Sequence, residues 1–134
     1  MKIAVSATEG SLDANVDPRF GRCAYFIIVE IEGNEIKNHE VVSNKSIEAT
    51  RGAGIQAAQT VANEGVKVVI TGSIGPNAFN VLNQTGIKVV TGVSGKVSDA
   101  VKKYLKEELK ETKQPTFGFG VGMGRGFGRG RWNR

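Results

Sequence analysis

Val16-Asp17-Pro18-Arg19-Phe20-Gly21-Arg22-Cys23 brings two arginines and the chain's only cysteine into one short stretch with neither helical nor strand period. Asp17-Pro18 is a turn signal and Gly21 permits positive φ, so the stretch reads as a loop. Two chemistries are open to it. The arginines would attract an anion directly, and their field would lower the thiol pKa of Cys23 and favour a thiolate able to bind soft metal. A lone cysteine is as readily a small buried hydrophobe, and that reading stands beside the functional one.

A second candidate is a repeated turn. Thr71-Gly72-Ser73-Ile74-Gly75 and Thr91-Gly92-Val93-Ser94-Gly95 each follow a run of β-branched residues, and helical patterns begin after them at Pro76 and near Lys96. Two such units place parallel strands side by side. Open α/β sheets bind ligands beyond the carboxyl ends of their strands, where helix N-termini offer unpaired N–H groups to an anion.

Other constellations fail on spacing. A P-loop needs glycine where Val90 stands and Ser or Thr where Val97 stands. A metal-dependent nuclease needs several carboxylates at strand ends, and the core strands offer few, Glu30, Glu32 and Glu40 of the hairpin among them. Gly52-Ala53-Gly54-Ile55-Gln56-Ala57 matches the dinucleotide fingerprint, but no strand directly precedes it, so no nucleotide is expected. His39, the only histidine, lies mid-hairpin with no sign that it meets Ser73 or Ser94. One cysteine and one histidine are too few for a four-ligand zinc site. An enzyme acting on a small phosphorylated substrate at the two turns would lack a suitable base, so no catalytic residue is assigned and no enzymatic activity is expected.

The elements that must position these residues follow from pattern. Lys2–Ser6 reads as a central strand, and Tyr25–Ile31 with Glu35–Ser43 as a hairpin turned at Gly33-Asn34. Ile55, Ala58, Val61 and Ala62 recur on a helix face that Gly65 stops. Strands over Val66–Ile70 and Ile87–Val90 alternate with a helix from Pro76 to Gly86 and a longer stripe, Val97, Ala100, Val101, Tyr104, Leu105 and Leu109. The order β, β, β, α, β, α, β, α predicts an α/β fold: three antiparallel strands, then two parallel crossovers, giving a mixed five-stranded sheet flanked by three helices. This is the general plan of a ribonuclease H-like fold.

Charge divides the chain. Of a formal net charge of +5, residues 115 to 134 carry four arginines and no acid, and seven of the 18 glycines, leaving the rest nearly neutral. So glycine-rich a segment loses too much backbone entropy to fold alone, which predicts a domain over 1–114 and a disordered tail over 115–134. No apolar run approaches the roughly 20 residues of a membrane helix, and the start Met1-Lys2-Ile3-Ala4-Val5 turns polar too soon for a signal peptide. A cytoplasmic protein without membrane attachment is expected.

Taken together, the motifs resemble the dinitrogenase iron-molybdenum cofactor biosynthesis family of small cluster-carrier proteins. The resemblance covers most of residues 1 to 130. It rests on Arg19-Phe20-Gly21-Arg22 leading into Tyr25-Phe26-Ile27-Ile28-Val29, and on Gly52-Ala53-Gly54-Ile55-Gln56-Ala57-Ala58. It rests further on Val68-Val69-Ile70-Thr71-Gly72 with Gly75-Pro76-Asn77-Ala78, on Gly86-Ile87-Lys88-Val89, and on the Gly-Met-Gly-Arg-Gly run at Gly122 to Gly126. It implies a ribonuclease H-like domain that binds, carries or scaffolds an iron-sulfur or iron-molybdenum-sulfur cluster, receiving it from a donating scaffold or handing it to a recipient apoprotein. A preassembled cluster brings its own sulfides and net negative charge, so the protein need supply only backbone N–H donors, arginines and one soft ligand.

On this reading the cluster sits between three walls. They are the Arg19 to Cys23 loop, the helix entry from Thr50 through Arg51, Gly52 and Gly54, and the turns at Thr71, Gly72, Gly75, Thr91 and Gly92. Cys23 would be the covalent ligand, Arg19, Arg22 and Arg51 the charge partners, and Met123 a further soft ligand. The alternative is a nucleic-acid-binding module, because Gly124 to Trp132 interleaves arginines and aromatics in the manner of RNA-binding segments. On the cluster reading, nucleic acid is not the partner.

Overall fold

The computed structural model describes residues 1–45 and 52–116. Three consecutive strands, β1 (Lys2–Ala7), β2 (Tyr25–Glu32) and β3 (Glu35–Ser43), pair antiparallel. The β2–β3 turn uses Gly33 and Asn34 at φ 62° and 64°. Two successive left-handed residues give the hairpin turn whose twist matches its strands, and glycine and asparagine tolerate that region best.

The remainder alternates: α1 (Ala53–Asn63), β4 (Val68–Ile70), α2 (Pro76–Gln84), β5 (Lys88–Val90) and α3 (Val97–Leu105). β4 runs parallel to β1, and β5 parallel to β4, giving the order β3-β2-β1-β4-β5. This is the expected mixed five-stranded sheet with three helices, in the ribonuclease H-like arrangement.

The strand period of two divides the core into two layers. Ala4, Phe26, Ile28, Val69 and Val89 face α1 and α2, meeting Ala57, Ala58, Val61, Ala78, Phe79 and Leu82. Ile3, Val5, Ile27, Val29, Val68, Ile70 and Val90 face the opposite layer, where Val97, Ala100 and Val101 of α3 cover them. Because β1 lies mid-sheet under both layers, five of its six residues are buried. Edge strand β3 is mostly exposed, and its polar alternation leaves His39 on the surface.

Two expectations need adjusting. The amphipathic stripe runs to Leu109, but α3 stops at Leu105, and Glu107 takes φ 62°. Leu109 still packs on the α3 layer, so the apolar period survives a break in the helix. The parallel strands are three residues each, and Val66 and Ile87 pack in the α1/α2 layer as connecting residues. Among the described residues no helix is long and apolar enough to cross a membrane.

After α3 the chain returns across the carboxyl ends of the parallel strands. The Thr112 N–H donates to Val89 O (2.6 Å), and its hydroxyl accepts from Thr91 N (2.9 Å). At the next strand end, Thr116 N–H donates to Ile74 O (3.0 Å) and Ile74 N–H donates to the Thr116 hydroxyl (2.7 Å). Thr116 is the last described residue, so nearly all of the tail expected over 115–134 lies outside the described residues.

Candidate functional site

The Asp17–Cys23 loop is fastened to the turn that follows β4. Ser73 N–H and its hydroxyl both donate to Pro18 O at 2.7 Å, and Phe20 N–H donates back to Ser73 O at 3.3 Å. Gly72 lets the two backbones close: a Cβ there would stand 2.5 Å from Pro18 Cα. On the far side, a Cβ on Gly21 would stand 3.1 Å from Gly54 Cα and N, so this glycine brings the loop against the start of α1. The Asn44 side-chain amide holds the loop's last turn, donating to Gly21 O (3.3 Å) and Cys23 O (2.8 Å).

These three segments enclose a groove of about 340 Å³. Arg19, Phe20, Gly21 and Arg22 form one wall, Gly52 to Ile55 a second, and Ser73, Ile74, Gly75, Asn77 and Ala78 the third. It opens where β4 ends and α2 begins, the position at which such sheets bind ligands. A larger cavity of about 520 Å³, lined by Met1, Lys88, Tyr104, Glu107 and Glu111 among others, lies by the amino ends of β1 and β5 and mixes both signs of charge.

The groove is electropositive by construction. α1 and α2 both begin on it, at Gly52 and Gly75, with no side-chain cap and no acidic residue in the first turn. Their first N–H groups and aligned peptide dipoles therefore present partial positive charge. Arg19 and Arg22 add guanidinium groups, the charge of Arg19 being partly offset by Asp17, and no carboxylate is among the described lining residues. Asp17 sits behind: its buried carboxylate accepts from Arg19 N (2.9 Å), Nε (3.2 Å) and Nη2 (3.3 Å). The hydrogen bond to Asp17, and then its charge, raise the Arg19 pKa above its already high value.

Cys23 does not face the groove. Its side chain is fully buried in the α1/α2 layer, its thiol donating to Phe20 O at 3.4 Å. Burial first, and then the Asp17 charge, push its pKa up to about 12, the reverse of the lowering expected from the neighbouring arginines. The arginines point outward while the thiol points in, so their charges do not offset its desolvation. Among the described residues no group of three or more His, Cys, Asp or Glu is assembled to hold a metal ion.

The two turns also part company. Gly75 lines the groove, whereas Thr71 is fully buried beneath it, its hydroxyl accepting from Ser6 Oγ at 2.8 Å, and Gly72 lies packed against Pro18. The second turn is not in the lining: Gly92 N–H donates to Gly72 O (2.8 Å), and the Thr91 hydroxyl lies 2.8 Å from that of Thr112. Beyond that turn a separate hollow of about 290 Å³ is lined by Ser94, Gly95, Lys96 and lysines of α3. Of the expected site residues, the structure therefore joins Arg19, Arg22, Gly52, Gly54 and Gly75 in one groove. Thr50, Arg51 and Met123 lie outside the described residues.

Phe20 and Ser73 fall within the expected walls without having been singled out, and sequence reasoning missed Ile55, Asn77 and Ala78 as lining residues. Asn77 and Ala78 were within reach, since the first turn of a helix entering a strand-end crevice borders that crevice. It also missed the supports Asp17 and Asn44, whose role depends on contacts across the fold.

Comparison with known proteins agrees with this architecture. The family model for dinitrogenase iron-molybdenum cofactor matches residues 1–107. An uncharacterized protein of Methanocaldococcus jannaschii is 38% identical over 111 residues, covering 83% of this chain and 91% of the relative. Among solved structures, the apo form of the orange protein from Desulfovibrio gigas superposes with a TM-score of 0.82 at 39% identity, covering 87% of this chain and 96% of that one. A Thermotoga protein of the DUF35 family gives a TM-score of 0.74 at 32% identity, over 87% and 97% of the two chains.

Proposed function

This chain belongs to the dinitrogenase iron-molybdenum cofactor family, and from that premise we propose that it binds and carries an anionic metal-sulfur cluster without catalysing a reaction. The cargo is the iron-molybdenum cofactor, a precursor of it, or a cluster of the same chemistry. One observation carries the reading: two arginines and two uncapped helix N-termini surround a groove of about 340 Å³ with no carboxylate among its described lining residues. Such a site offers hydrogen-bond donors and positive charge.

The donor set favours capture of a preassembled cluster over assembly of one from free metal. No thiol or imidazole is among the described groove residues, so the metals must arrive already ligated by sulfide. The sulfides would accept from first-turn N–H groups of α1 and α2 and from Arg19 and Arg22. Phe20, Ile55, Ile74 and Ala78 supply an apolar lining that lowers the local dielectric and strengthens those contacts. The similar orange protein from Desulfovibrio gigas has an apo form, a form without its ligand, which fits a binding role for this groove. Carriage also accounts for the lack of acids and general bases among the described groove residues. Arginine holds its proton at any working pH and is a poor general base.

The test is anaerobic isolation or reconstitution with iron, molybdenum or copper in the presence of sulfide, followed by metal analysis and visible absorption. Wild type should take up metal and sulfide together and acquire charge-transfer bands, and Arg22→Gln should weaken uptake. A wild-type chain that takes up neither overturns the reading.

A further inference from the structure

Asp17 is fastened to the ends of two neighbouring strands. Its N–H donates to Ser6 O at 2.9 Å, and its carbonyl oxygen lies 2.7 Å from the Ser6 hydroxyl and 3.5 Å from that of Thr71. Ser6 stands near the carboxyl end of β1, Thr71 follows β4, and both are fully buried. Side chains carried on such a rigid frame hold their direction. The carboxylate held there is itself almost wholly buried, and among the described residues its one cationic partner is Arg19.

The way Asp17 grips Arg19 leaves half of the guanidinium unused. Arginine carries five N–H groups in a fixed planar fork. Asp17 takes the Nε proton at 3.2 Å and one Nη2 proton at 3.3 Å, which together form the side-on edge. Both Nη1 protons and the second Nη2 proton remain, and among the described residues they meet no acceptor. The end-on edge is therefore available on a side chain that lines the groove and is largely exposed. Its two parallel N–H groups suit a ligand with two neighbouring acceptor atoms.

Arg19 cannot easily leave Asp17 to meet that ligand. Departure would strand a buried carboxylate with only the Arg19 backbone N–H as donor, a costly state. The side chain must hold both partners at once. Arginine can, because its edges are distinct. A lysine ammonium is a single charged nitrogen, and the buried carboxylate would draw it away from the groove.

We propose that Arg19 is a two-sided bridge, held by Asp17 along its side-on edge and presenting its end-on edge to the anion in the groove, with Asp17 as the positioning residue. The proposal rests on the cluster-binding reading above and adds to it that position 19 requires arginine and not positive charge alone.

The full-length chain is titrated with tetrathiomolybdate, a thiometallate dianion, by equilibrium dialysis, and bound anion is read from its absorption. Wild type, D17N, R19K and D17N/R19K complete a cycle, each shown to be folded by circular dichroism. R19K should bind about tenfold more weakly than wild type although its formal charge is unchanged. D17N should weaken binding where Arg19 is present, because that side chain regains its rotamer freedom. The same change should strengthen binding by R19K, because the ammonium is released to the groove. A change of field alone would instead raise affinity by one factor in both backgrounds. R19K as tight as wild type, or a gain from D17N in both backgrounds, overturns the proposal and leaves cluster binding intact. If a protein carrying D17N does not fold, R19K is compared with R19Q: equal loss supports the bridge, and wild-type affinity in R19K overturns it. A wild type that binds no thiomolybdate overturns both readings.

Discussion

Asp17 and Arg19 form an ion pair of unequal halves: the carboxylate is 4% exposed and the guanidinium 65% exposed, with Oδ1 and Nε 3.2 Å apart. The same Oδ1 accepts from the Arg19 backbone N–H, so one carboxylate fixes both the turn and the direction of the side chain. An arginine at a groove mouth is ordinarily free to sample many rotamers. Here Asp17 removes much of that freedom before any ligand arrives, at the expense of part of the positive field.

The two roles of Asp17 can be separated. Asp17→Asn keeps an acceptor for the Arg19 N–H and loses the ion pair, whereas Asp17→Ala loses both. Thermal unfolding should rank wild type above Asn and Asn above Ala, because only Ala removes the acceptor for a partly buried backbone donor. Equal melting temperatures for the two variants would show that the turn does not depend on that hydrogen bond.

The glycines at the loop contacts are expected to differ in a fixed order. At Gly72 a Cβ would lie 2.5 Å from Pro18 Cα and 3.0 Å from Pro18 O, backbone atoms that cannot turn aside. Gly72→Ala should therefore cost upwards of about 2 kcal/mol in urea denaturation. Gly21→Ala meets Gly54 backbone at 3.1 Å and should cost about 1–2 kcal/mol while also parting the loop from α1. Gly33→Ala meets nothing within 4 Å and bears only the strain of φ 62°, about 1 kcal/mol. A Gly72→Ala protein as stable as Gly33→Ala would contradict the packing described.

Much of this architecture is legible in the chain because it is written in local periods. The hairpin at Gly33-Asn34, Pro76 at the start of α2 and the two-sided burial of β1 all follow from residue type and spacing. The site is only partly so. Cys23 misleads because charge neighbours in sequence are not charge neighbours in space: in an irregular loop Arg22 faces the groove while Cys23 packs in the core beside Phe20 and Phe26. Thr91 misleads for a different reason. Its turn repeats that of Thr71, but Thr112 already occupies its N–H, and a polar segment that clasps a distant strand end has no periodic signature. Asp17 and Asn44 bond to the groove loop through contacts that only the folded chain creates.

The return segment makes its own prediction. Thr112 and Thr116 each place a hydroxyl on a backbone N–H at a strand end, at 2.9 and 2.7 Å. Thr116→Val keeps the shape and removes the acceptor, which should destabilise by about 1–2 kcal/mol and speed hydrogen exchange at the Ile74 amide. Thr112→Val should do the same at Thr91 and leave Ile74 protected. Exchange that rises at both amides in either variant would mean the segment releases as one unit.

Cys23 carries the last prediction, and its sign is fixed by burial. An unfolded cysteine ionises near pH 8.5, whereas the folded thiol is pushed up to about 12. Below pH 8 both states hold the proton and the group contributes nothing to pH dependence. Between about pH 9 and 12 the unfolded chain releases a proton that the folded chain keeps, so stability should fall by roughly 1.4 kcal/mol per pH unit through that window. Other groups also titrate there, so the informative quantity is the difference between wild type and Cys23→Ala, which should lose that part of the slope. At pH 8 the folded thiol should resist iodoacetamide while the urea-unfolded chain reacts, and Cys23→Ala should still take up metal and sulfide. Rapid alkylation of the native protein, or loss of uptake in a Cys23→Ala variant shown to be folded, would return Cys23 to the groove as a ligand.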